Sequence, residues 1–218
     1  MHIKNLLKYD FYLFDCDGVV LDSNKIKSDS FRELFNKHPE NTVESFIKYH
    51  QINNGISRFV KIKKFYEEFL NFKISKEELN NQINDYGNIV YGKLCLSNFV
   101  GGVFQLLIKL RENKKKIFII SGSYEEELIN VFIKKNIYNL FDEICGSPRD
   151  KNLILKYLKK KYKIKTSRCI YFGDSIIDYS IAEKHKIPFV HVRRHTEIPF
   201  ENNNGSKYIN DFNDLNYE

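Results

Sequence analysis

Five short apolar runs, each followed at once by polar residues, alternate along this chain with longer segments of helical spacing. The runs are residues 11–14, 117–120, 144–145, 170–172 and 189–192. Strands that alternate with helices form parallel βαβ units, and the sheet they build is covered on both faces. We therefore predict an α/β fold with a doubly wound parallel sheet. Ligands bind beyond the carboxyl ends of the strands in such a sheet, and this edge is where we expect Asp15, Ser121, Ser147 and Asp174.

Residues 23–96 interrupt this alternation with helical periodicity and no convincing strand. The apolar stripe of Ile62, Phe65 and Phe69 has helical spacing, and Ser75 with Glu78 forms a capping box that predicts the start of another helix. A helical block inserted directly after the first strand is typical of a cap domain. We predict a core domain of residues 1–22 and 97–218 and a small all-helical cap domain of residues 23–96.

Composition excludes several classes of protein. The net charge is +7, but 28 of the 35 cations are Lys, whereas proteins that read nucleic acid depend on Arg for bidentate contacts. The lysine clusters fall where helices are predicted to end, so we interpret them as solvated helix ends, with a polyanion-binding patch as the alternative. No apolar run has the length of a membrane span, the start does not resemble a signal peptide, and the four cysteines match no disulfide framework. We predict a cytoplasmic protein that binds neither nucleic acid nor membrane.

Carboxylates follow two of the predicted strands. Asp15 and Asp17 flank Cys16, and the side chains of residues i and i+2 emerge on the same side of an extended chain. Asp174 lies at another strand end, with Asp178 four residues later. Like charges this close require a cation or a proton between them, and Mg²⁺ is the usual ion where phosphate completes an octahedral shell. The alternatives are a solvated loop for the first pair and, for Asp178, a capping box with Ser175.

Lys151 stands at the wrong end of a predicted helix for a cation. Ser147 is expected to be the N-cap, with Pro148 at the first helical position and Asp150 at the third, which places Lys151 in the first turn. A lysine there opposes the helix dipole, so either it is a tolerated surface residue or an anion is bound nearby.

A serine pair follows the second predicted strand. Ser123 is expected to be the N-cap of the next helix, whose first turn contains Glu125 and Glu126. Ser121, one step earlier at the strand end, remains able to donate its hydroxyl to a phosphate oxygen.

Four elements, in this order, are far more specific together than any one alone: D-x-D-G-V-V at residues 15–20, I-S-G-S at 120–123, P-x-x-K at 148–151 and F-G-D-S-x-x-D at 172–178. With them the chain resembles the haloacid dehalogenase superfamily of phosphotransferases over nearly its whole length. The position of the helical block resembles members that carry a cap between the first and second motifs.

The resemblance implies a role for each matching residue. Asp15 matches the nucleophile that becomes a phosphoaspartate, and Asp17 the general acid/base that protonates the leaving oxygen and then activates water. Ser121 and Gly122 match the segment that binds the transferring phosphoryl group, and Lys151 the lysine that neutralises it.

The resemblance also implies a metal site. Asp174 matches the Mg²⁺ ligand that acts together with a carboxylate oxygen of Asp15 and the backbone carbonyl of Asp17. Asp178 matches a second acid that supports the metal or the lysine. The aspartate at position 17 argues against the dehalogenases, which lack it, and against the ATPase pumps, which carry threonine there.

The cap is expected to select the substrate. Arg58 and Lys61 lie one helical turn apart, on a face opposite the apolar stripe. Either they form a solvated basic face, or the loop and helix start that carry them lie over the active site and contact the leaving group. The stretch at residues 53–59 is similar to caps of phosphatases associated with bacterial surface-polysaccharide assembly.

We therefore predict a Mg²⁺-dependent phosphatase that acts on a small phosphorylated metabolite, such as a sugar, polyol or amino-alcohol phosphate, and that works through a phosphoaspartate. A phosphomutase of the same fold shares all four motifs and is the alternative among enzymes. A catalytically silent binding or scaffold protein is the alternative from another class, although the intact set of Asp15, Asp17, Lys151 and Asp174 speaks against it.

Overall fold

A computed structural model describes residues 2–196 and 207–216 of the 218-residue chain. Within them six parallel strands form one sheet in the order β3-β2-β1-β4-β5-β6. The strands are β1 (Phe11–Phe14), β2 (Lys116–Tyr124), β3 (Glu143–Ser147), β4 (Cys169–Gly173), β5 (Phe189–Val192) and β6 (Lys207–Ile209). The prediction of an α/β fold with a doubly wound parallel sheet is confirmed.

Alternate residues of the central strands pack on opposite faces of the sheet, because side chains of a strand point up and down in turn. In β1, Tyr12 and Phe14 belong to one buried cluster and Leu13 to the other. Helices α6 (Val103–Glu112) and α7 (Glu125–Lys134) cover the first face, and α8 (Lys151–Tyr162) and α9 (Ile176–Lys184) cover the second. Two apolar cores therefore fix the sheet from both sides. Helix α1 (Ile3–Leu6) precedes β1, and single 3-10 turns lie at Tyr138–Leu140, Thr166–Arg168 and Phe212–Asp214.

The chain builds the sheet outward from β1 in one direction and then crosses back to place β4 on its other side. Strands β1 and β4 are thus the neighbours between which the strand order reverses, and such a reversal opens a crevice at the carboxyl ends of the strands. Asp15 directly follows β1, and Asp174 directly follows β4. This topology brings two residues 159 positions apart in sequence to one point.

Residues 24–96 are helical, as the periodicity predicts. They form α2 (Asn24–Leu34), α3 (Glu40–Ile52), α4 (Arg58–Lys64), a π-helical turn (Phe65–Phe69) and α5 (Lys76–Leu96). Stacked and edge-to-face rings of Phe31, Phe35, Phe46 and Phe65 fill the space between these helices. The predicted capping box of Ser75 and Glu78 opens α5. The two connections to the sheet run side by side, with the amide of Asp22 donating to the carbonyl of Asn98 at 2.9 Å. The domain boundaries at 22/23 and 96/97 stay a prediction.

The start of α8 differs from the prediction. Asp150, not Ser147, is the N-cap, and its carboxylate accepts a hydrogen bond from the amide of Leu153 at 2.8 Å. The reason is that Ser147 still belongs to β3, where it pairs with Tyr124 of β2. Lys151 is consequently the first residue of the helix and lies in its first turn, as predicted.

The N-cap of α7 is also displaced. Strand β2 continues to Tyr124, which takes the N-cap position that the sequence assigned to Ser123. All four cysteines are free. Among the helices of residues 2–196 and 207–216, none combines the length and the apolar character that crossing a bilayer would require.

Candidate active site

Three buried carboxylates meet at the carboxyl ends of β1 and β4. Oxygen atoms of Asp15, Asp174 and Asp178 all lie within 4.8 Å of one another. Asp15 and Asp174 come from the strand ends, and Asp178 comes from the first turn of α9. The predicted convergence of these acids at one edge of the sheet is therefore present in the structure.

Lys151 crosses from the first position of α8 to this cluster. Its Nζ lies 2.8 Å from Oδ1 of Asp15 and 2.7 Å from Oδ1 of Asp178, and all three side chains are almost fully buried. Lys151 is 3% exposed, so its interpretation as a tolerated surface residue is wrong. Burial lowers the pKa of Lys151, but the two adjacent negative charges outweigh it, so the net shift is upward and the ammonium stays charged.

Asp178 is held by four hydrogen bonds to three side chains. Besides Lys151, its Oδ1 accepts from the hydroxyl of Tyr171 at 2.5 Å, and its Oδ2 accepts from the hydroxyl of Ser175 at 2.6 Å. The Asp178 amide donates to the Ser175 hydroxyl at 3.3 Å, so Ser175 caps α9 as predicted. Asp178 therefore belongs both to the helix start and to the support of Lys151.

The carboxylates oppose one another's ionisation. Burial, and after it the negative charges of Asp178 and Asp17, raise the pKa of Asp15 to about 7 against the lowering effect of Lys151. Burial and the charges of Asp15 and Asp178 raise the pKa of Asp174 well above its usual range. A cluster in this state would be stabilised by a further positive charge.

The donor set fits a small, hard cation such as Mg²⁺. Oδ1 of Asp174 is buried and has no hydrogen-bond partner among the described residues, while its Oδ2 accepts from the amide of Asn24 at 2.6 Å. Carboxylate oxygens are the ligands that Mg²⁺ prefers. A methyl group at Gly18, whose φ is +74°, would lie 2.3 Å from Oδ2 of Asp174. Any other residue at position 18 would therefore displace this carboxylate, and glycine also adopts the positive φ without strain.

The side chain of Asp17 lies apart from those three acids and is surrounded by donors. The hydroxyls of Ser23 and Ser123 donate to it at 2.6 and 2.9 Å, and the ammonium of Lys27 donates to both Asp17 and Ser123. Burial raises the pKa of Asp17, but the charge of Lys27 and these hydrogen bonds outweigh it, so the pKa lies below its usual value. Asp17 is ionised here.

Ser121 is buried within β2, not at its end as predicted, because the strand continues to Tyr124. Its hydroxyl accepts from the amide of Ser123 at 3.1 Å. The loop of the helical segment that contains Gly55 packs directly against the next residue, Gly122. A methyl group on Gly122 would lie 2.2 Å from the carbonyl oxygen of Gly55. The absence of a side chain at Gly122 therefore allows the Gly55 loop to close over the carboxylate edge.

A cavity of about 40 Å³ lies between the helical segment and the carboxyl edge of the sheet. Its walls include Asp15, Asp17 and Asp174 on the sheet side and Arg58 and Lys61 on the helical side. Arg58 and Lys61 are buried, so the interpretation as a solvated basic face is wrong for both. Arg58 forms an ion pair with Glu127 of α7, with its guanidinium 4.8 Å from the centre of the Tyr86 ring.

Sequence reasoning missed the helical-segment residues that face the carboxylates. Lys27 and Asn24 of α2 contact Asp17 and Asp174, and His50 of α3 lies in the cavity wall. For Asn24 and Lys27 the only signal in the sequence is their position in the first helical turns after the D-x-D motif. His50 has none, because its place depends on how α3 packs.

The sequence profile of the haloacid dehalogenase-like hydrolases matches residues 12–192. The chain belongs to this family, and the resemblance drawn from its four motifs is confirmed. The prediction that it is a hydrolytic enzyme is confirmed by the same match. A comparison with curated proteins gives no match.

Solved structures share the fold over nearly the whole chain. A β-phosphoglucomutase from Clostridium difficile is 22% identical, with a TM-score of 0.77, and the match covers 96% of this chain and 94% of that one. A predicted phosphoglycolate phosphatase from Haemophilus somnus is 16% identical (TM-score 0.76), with 95% and 96% covered. CbbY from Rhodobacter sphaeroides, solved in complex with phosphate, is 11% identical (TM-score 0.76), with 94% and 96% covered.

Proposed function

We propose that this protein is a Mg²⁺-dependent phosphatase that hydrolyses a phosphomonoester of a small metabolite through a phosphoaspartate on Asp15. The observation that carries the proposal is the position of Lys151, whose ammonium bridges Asp15 and Asp178 beside the orphaned oxygen of Asp174. A carboxylate nucleophile, a fixed cation and a cation-binding acid at one edge of the sheet are suited to phosphoryl transfer through a covalent carboxylate intermediate.

Asp15 is the nucleophile in this proposal. Its carboxylate oxygen forms a bond to phosphorus while the bond between phosphorus and the ester oxygen breaks. Lys151 is charged and buried, so it offsets negative charge on the phosphoryl oxygens without having to be reorganised. Ser121 and Gly122 lie near the carboxyl end of the adjacent strand β2, where they would bind the same group.

Asp17 is the general acid and base in this proposal. In its protonated form it delivers a proton to the leaving oxygen, and as a carboxylate it then takes a proton from the water that hydrolyses the phosphoaspartate. Its neighbours Lys27 and Ser123 favour the carboxylate, which is the form needed in the second step.

Asp15 and Asp174, with the backbone carbonyl of Asp17, would hold Mg²⁺, and Asp178 would orient Lys151. When bound, Mg²⁺ neutralises charge on the phosphoryl group and lowers the mutual repulsion of the carboxylates. The cavity is small, which supports a small phosphorylated metabolite as the substrate. Sugar, polyol and amino-alcohol phosphates remain the predicted group.

A phosphomutase is the second candidate, and one observation favours it. The Gly55 loop lies against Gly122 and closes the carboxylate edge, and a mutase must keep water from its phosphoenzyme. Product analysis separates the two activities, because a phosphatase releases inorganic phosphate whereas a mutase returns an isomeric phosphate ester.

The test is phosphate release from a panel of phosphomonoesters with Mg²⁺ and with EDTA. We expect release by the wild type in Mg²⁺ only, together with an acid-stable acyl phosphate that hydroxylamine cleaves. Asp15→Asn should form neither product, and Asp29→Asn, a change on the exposed side of α2, is the matched control. Phosphate release by Asp15→Asn at the wild-type rate would exclude the covalent mechanism.

A further inference from the structure

His50 lies in the wall of the cavity that faces the carboxylates, and its ring is buried with 3% exposure. The ring packs edge-on against Phe31, with centroids 4.8 Å apart. One ring nitrogen, Nδ1, lies 2.7 Å from Nζ of Lys61. The other, Nε2, has no hydrogen-bond partner among the described residues.

The contact with Lys61 fixes where the imidazole carries its proton. An ammonium has only hydrogens to give, so Nδ1 must accept, and the proton of a neutral ring then lies on Nε2. Burial, and after it the charge of Lys61, lowers the pKa of His50 well below its usual value, so the ring is neutral. Nε2 is consequently a hydrogen-bond donor.

A buried donor without a partner costs free energy, and such groups in folded proteins normally find one. No described residue accepts from Nε2, and the ring lies in the wall of the proposed active site, so the acceptor would be an atom of the substrate. Asp15, Asp17 and Asp174 line the same cavity from the sheet side, so a molecule that reaches Asp15 with its phosphoryl group extends toward this wall.

The charged side chains near His50 indicate which chemical groups of a substrate can accept this hydrogen bond. Lys61 lies directly behind the His50 ring, and Arg58 belongs to the same wall, where its charge is paired with Glu127. An ammonium group on the leaving group could not accept from Nε2 and would be repelled by Lys61. A hydroxyl or carboxylate oxygen could accept, and a carboxylate would also be attracted by Lys61.

We propose that Nε2 of His50 donates a hydrogen bond to an oxygen of the leaving group, and that the enzyme thereby selects phosphomonoesters whose leaving group carries a hydroxyl or carboxylate over those that carry an ammonium. This inference rests on the proposed phosphatase function and removes amino-alcohol phosphates from the predicted substrates. His50 is in this view a specificity-determining residue, fixed in its tautomer by Lys61.

Three substrates of equal chain length test it: 2-hydroxyethyl phosphate, phosphoglycolate and phosphoethanolamine. For the wild type we expect kcat/KM to be at least tenfold higher for the first two than for the third, about the effect of one hydrogen bond to a buried partner. His50→Leu should reduce this ratio about tenfold, mainly through KM. His50→Gln, which keeps an N–H donor on a side chain of similar reach, should retain most of it.

Binding measured by calorimetry separates this inference from the proposed function. The same three esters are titrated into Asp15→Asn and into Asp15→Asn combined with His50→Leu, both in Mg²⁺, so no turnover is needed. Selective binding that His50→Leu abolishes supports the inference even if the wild type hydrolyses none of the three. Equal affinity for phosphoethanolamine and 2-hydroxyethyl phosphate would overturn the inference. So would an affinity ratio that a folded His50→Leu variant leaves unchanged, or one that a folded His50→Gln variant loses. None of these outcomes decides whether the protein is a phosphatase.

Discussion

The ammonium of Lys151, at the first position of its helix, lies 2.8 Å from Oδ1 of Asp15, at the end of the first strand. Both groups are buried. Lys151 is the positive charge that compensates Asp15, while Asp178, at 2.7 Å, compensates Lys151 as well. A cation in the first turn opposes the helix dipole, so the dipole alone would leave stability unchanged or slightly higher when Lys151 is lost. The ion pair with Asp15 acts in the opposite direction. The dipole effect is a few tenths of a kcal/mol, whereas an uncompensated buried charge costs several.

Lys151→Met should therefore lower the free energy of unfolding of the metal-free protein by about 3 kcal/mol. Added Mg²⁺ should restore part of the loss, because it supplies positive charge to the same carboxylates. Urea titrations in EDTA and in Mg²⁺ measure both effects. Lys156→Met, an exposed position of the same helix, is the control. An unchanged midpoint in EDTA would show that Lys151 does not compensate the buried acids.

Asp15→Asn should remove all measurable turnover, because an amide cannot form the acyl phosphate. It should leave the metal-free protein at least as stable as the wild type at neutral pH, since it deletes one of several mutually repelling carboxylates. Phosphate release and a thermal melt on one purified variant check both points. A variant that unfolds would assign Asp15 a structural role instead.

The contribution of Asp15 to the stability of the metal-free protein, read as the difference between the wild type and Asp15→Asn, should fall as pH rises from about 4 to 7. Burial raises the pKa of Asp15 to about 7, from 3.8 in the unfolded chain, so the native state binds more protons than the unfolded state within this window. Each additional proton bound corresponds to a slope of about 1.4 kcal/mol per pH unit. Urea titrations at pH 5, 6 and 7 measure the slope, which Mg²⁺ and Asp15→Asn should each reduce. An equal slope in the wild type and in Asp15→Asn, both in EDTA, would contradict it.

Lys27→Met should shift the acid limb of the pH-activity profile to higher pH. Lys27 is the main group that keeps the pKa of Asp17 low, so without it Asp17 remains protonated at higher pH and cannot activate water. We expect a loss of kcat of roughly tenfold or more near the acid limb, and recovery at higher pH. Lys25→Met, on the exposed side of the same helix, should leave the profile in place.

Gly122→Ala should reduce activity by roughly 100-fold while the protein stays folded, because a methyl group there would lie 2.2 Å from the carbonyl of Gly55 and hold the loop away from the carboxylate edge. Gly92→Ala, where an added methyl group meets nothing within 4 Å, is the matched control. Steady-state kinetics and melting temperatures of the two variants check this. Normal kinetics in Gly122→Ala would show that closure of this loop is not needed.

The fold could be predicted because its signals are local. The apolar run of β1 must be buried on both faces, and the polar residue that follows it must lie at the strand end. The capping box of Ser75 and Glu78 is formed by residues three positions apart, so a short stretch of sequence contains everything it needs. The N-cap of α8 shows the limit of such signals, since Ser147 is kept in the sheet by its pairing with β2.

By itself, then, the sequence determined the parallel sheet, the helical insertion and the four motifs that bring Asp15, Asp17, Ser121, Lys151 and Asp174 to one edge. Only the tertiary structure decided what faces them: Lys27 on Asp17, Asn24 on Asp174, and the buried pair of His50 and Lys61 in the opposite wall. The physical reason is that strand ends in a parallel sheet are fixed by backbone pairing. The contacts of a helix across a cavity depend instead on how bulky rings such as Phe31 pack, and that packing involves residues far apart in the chain.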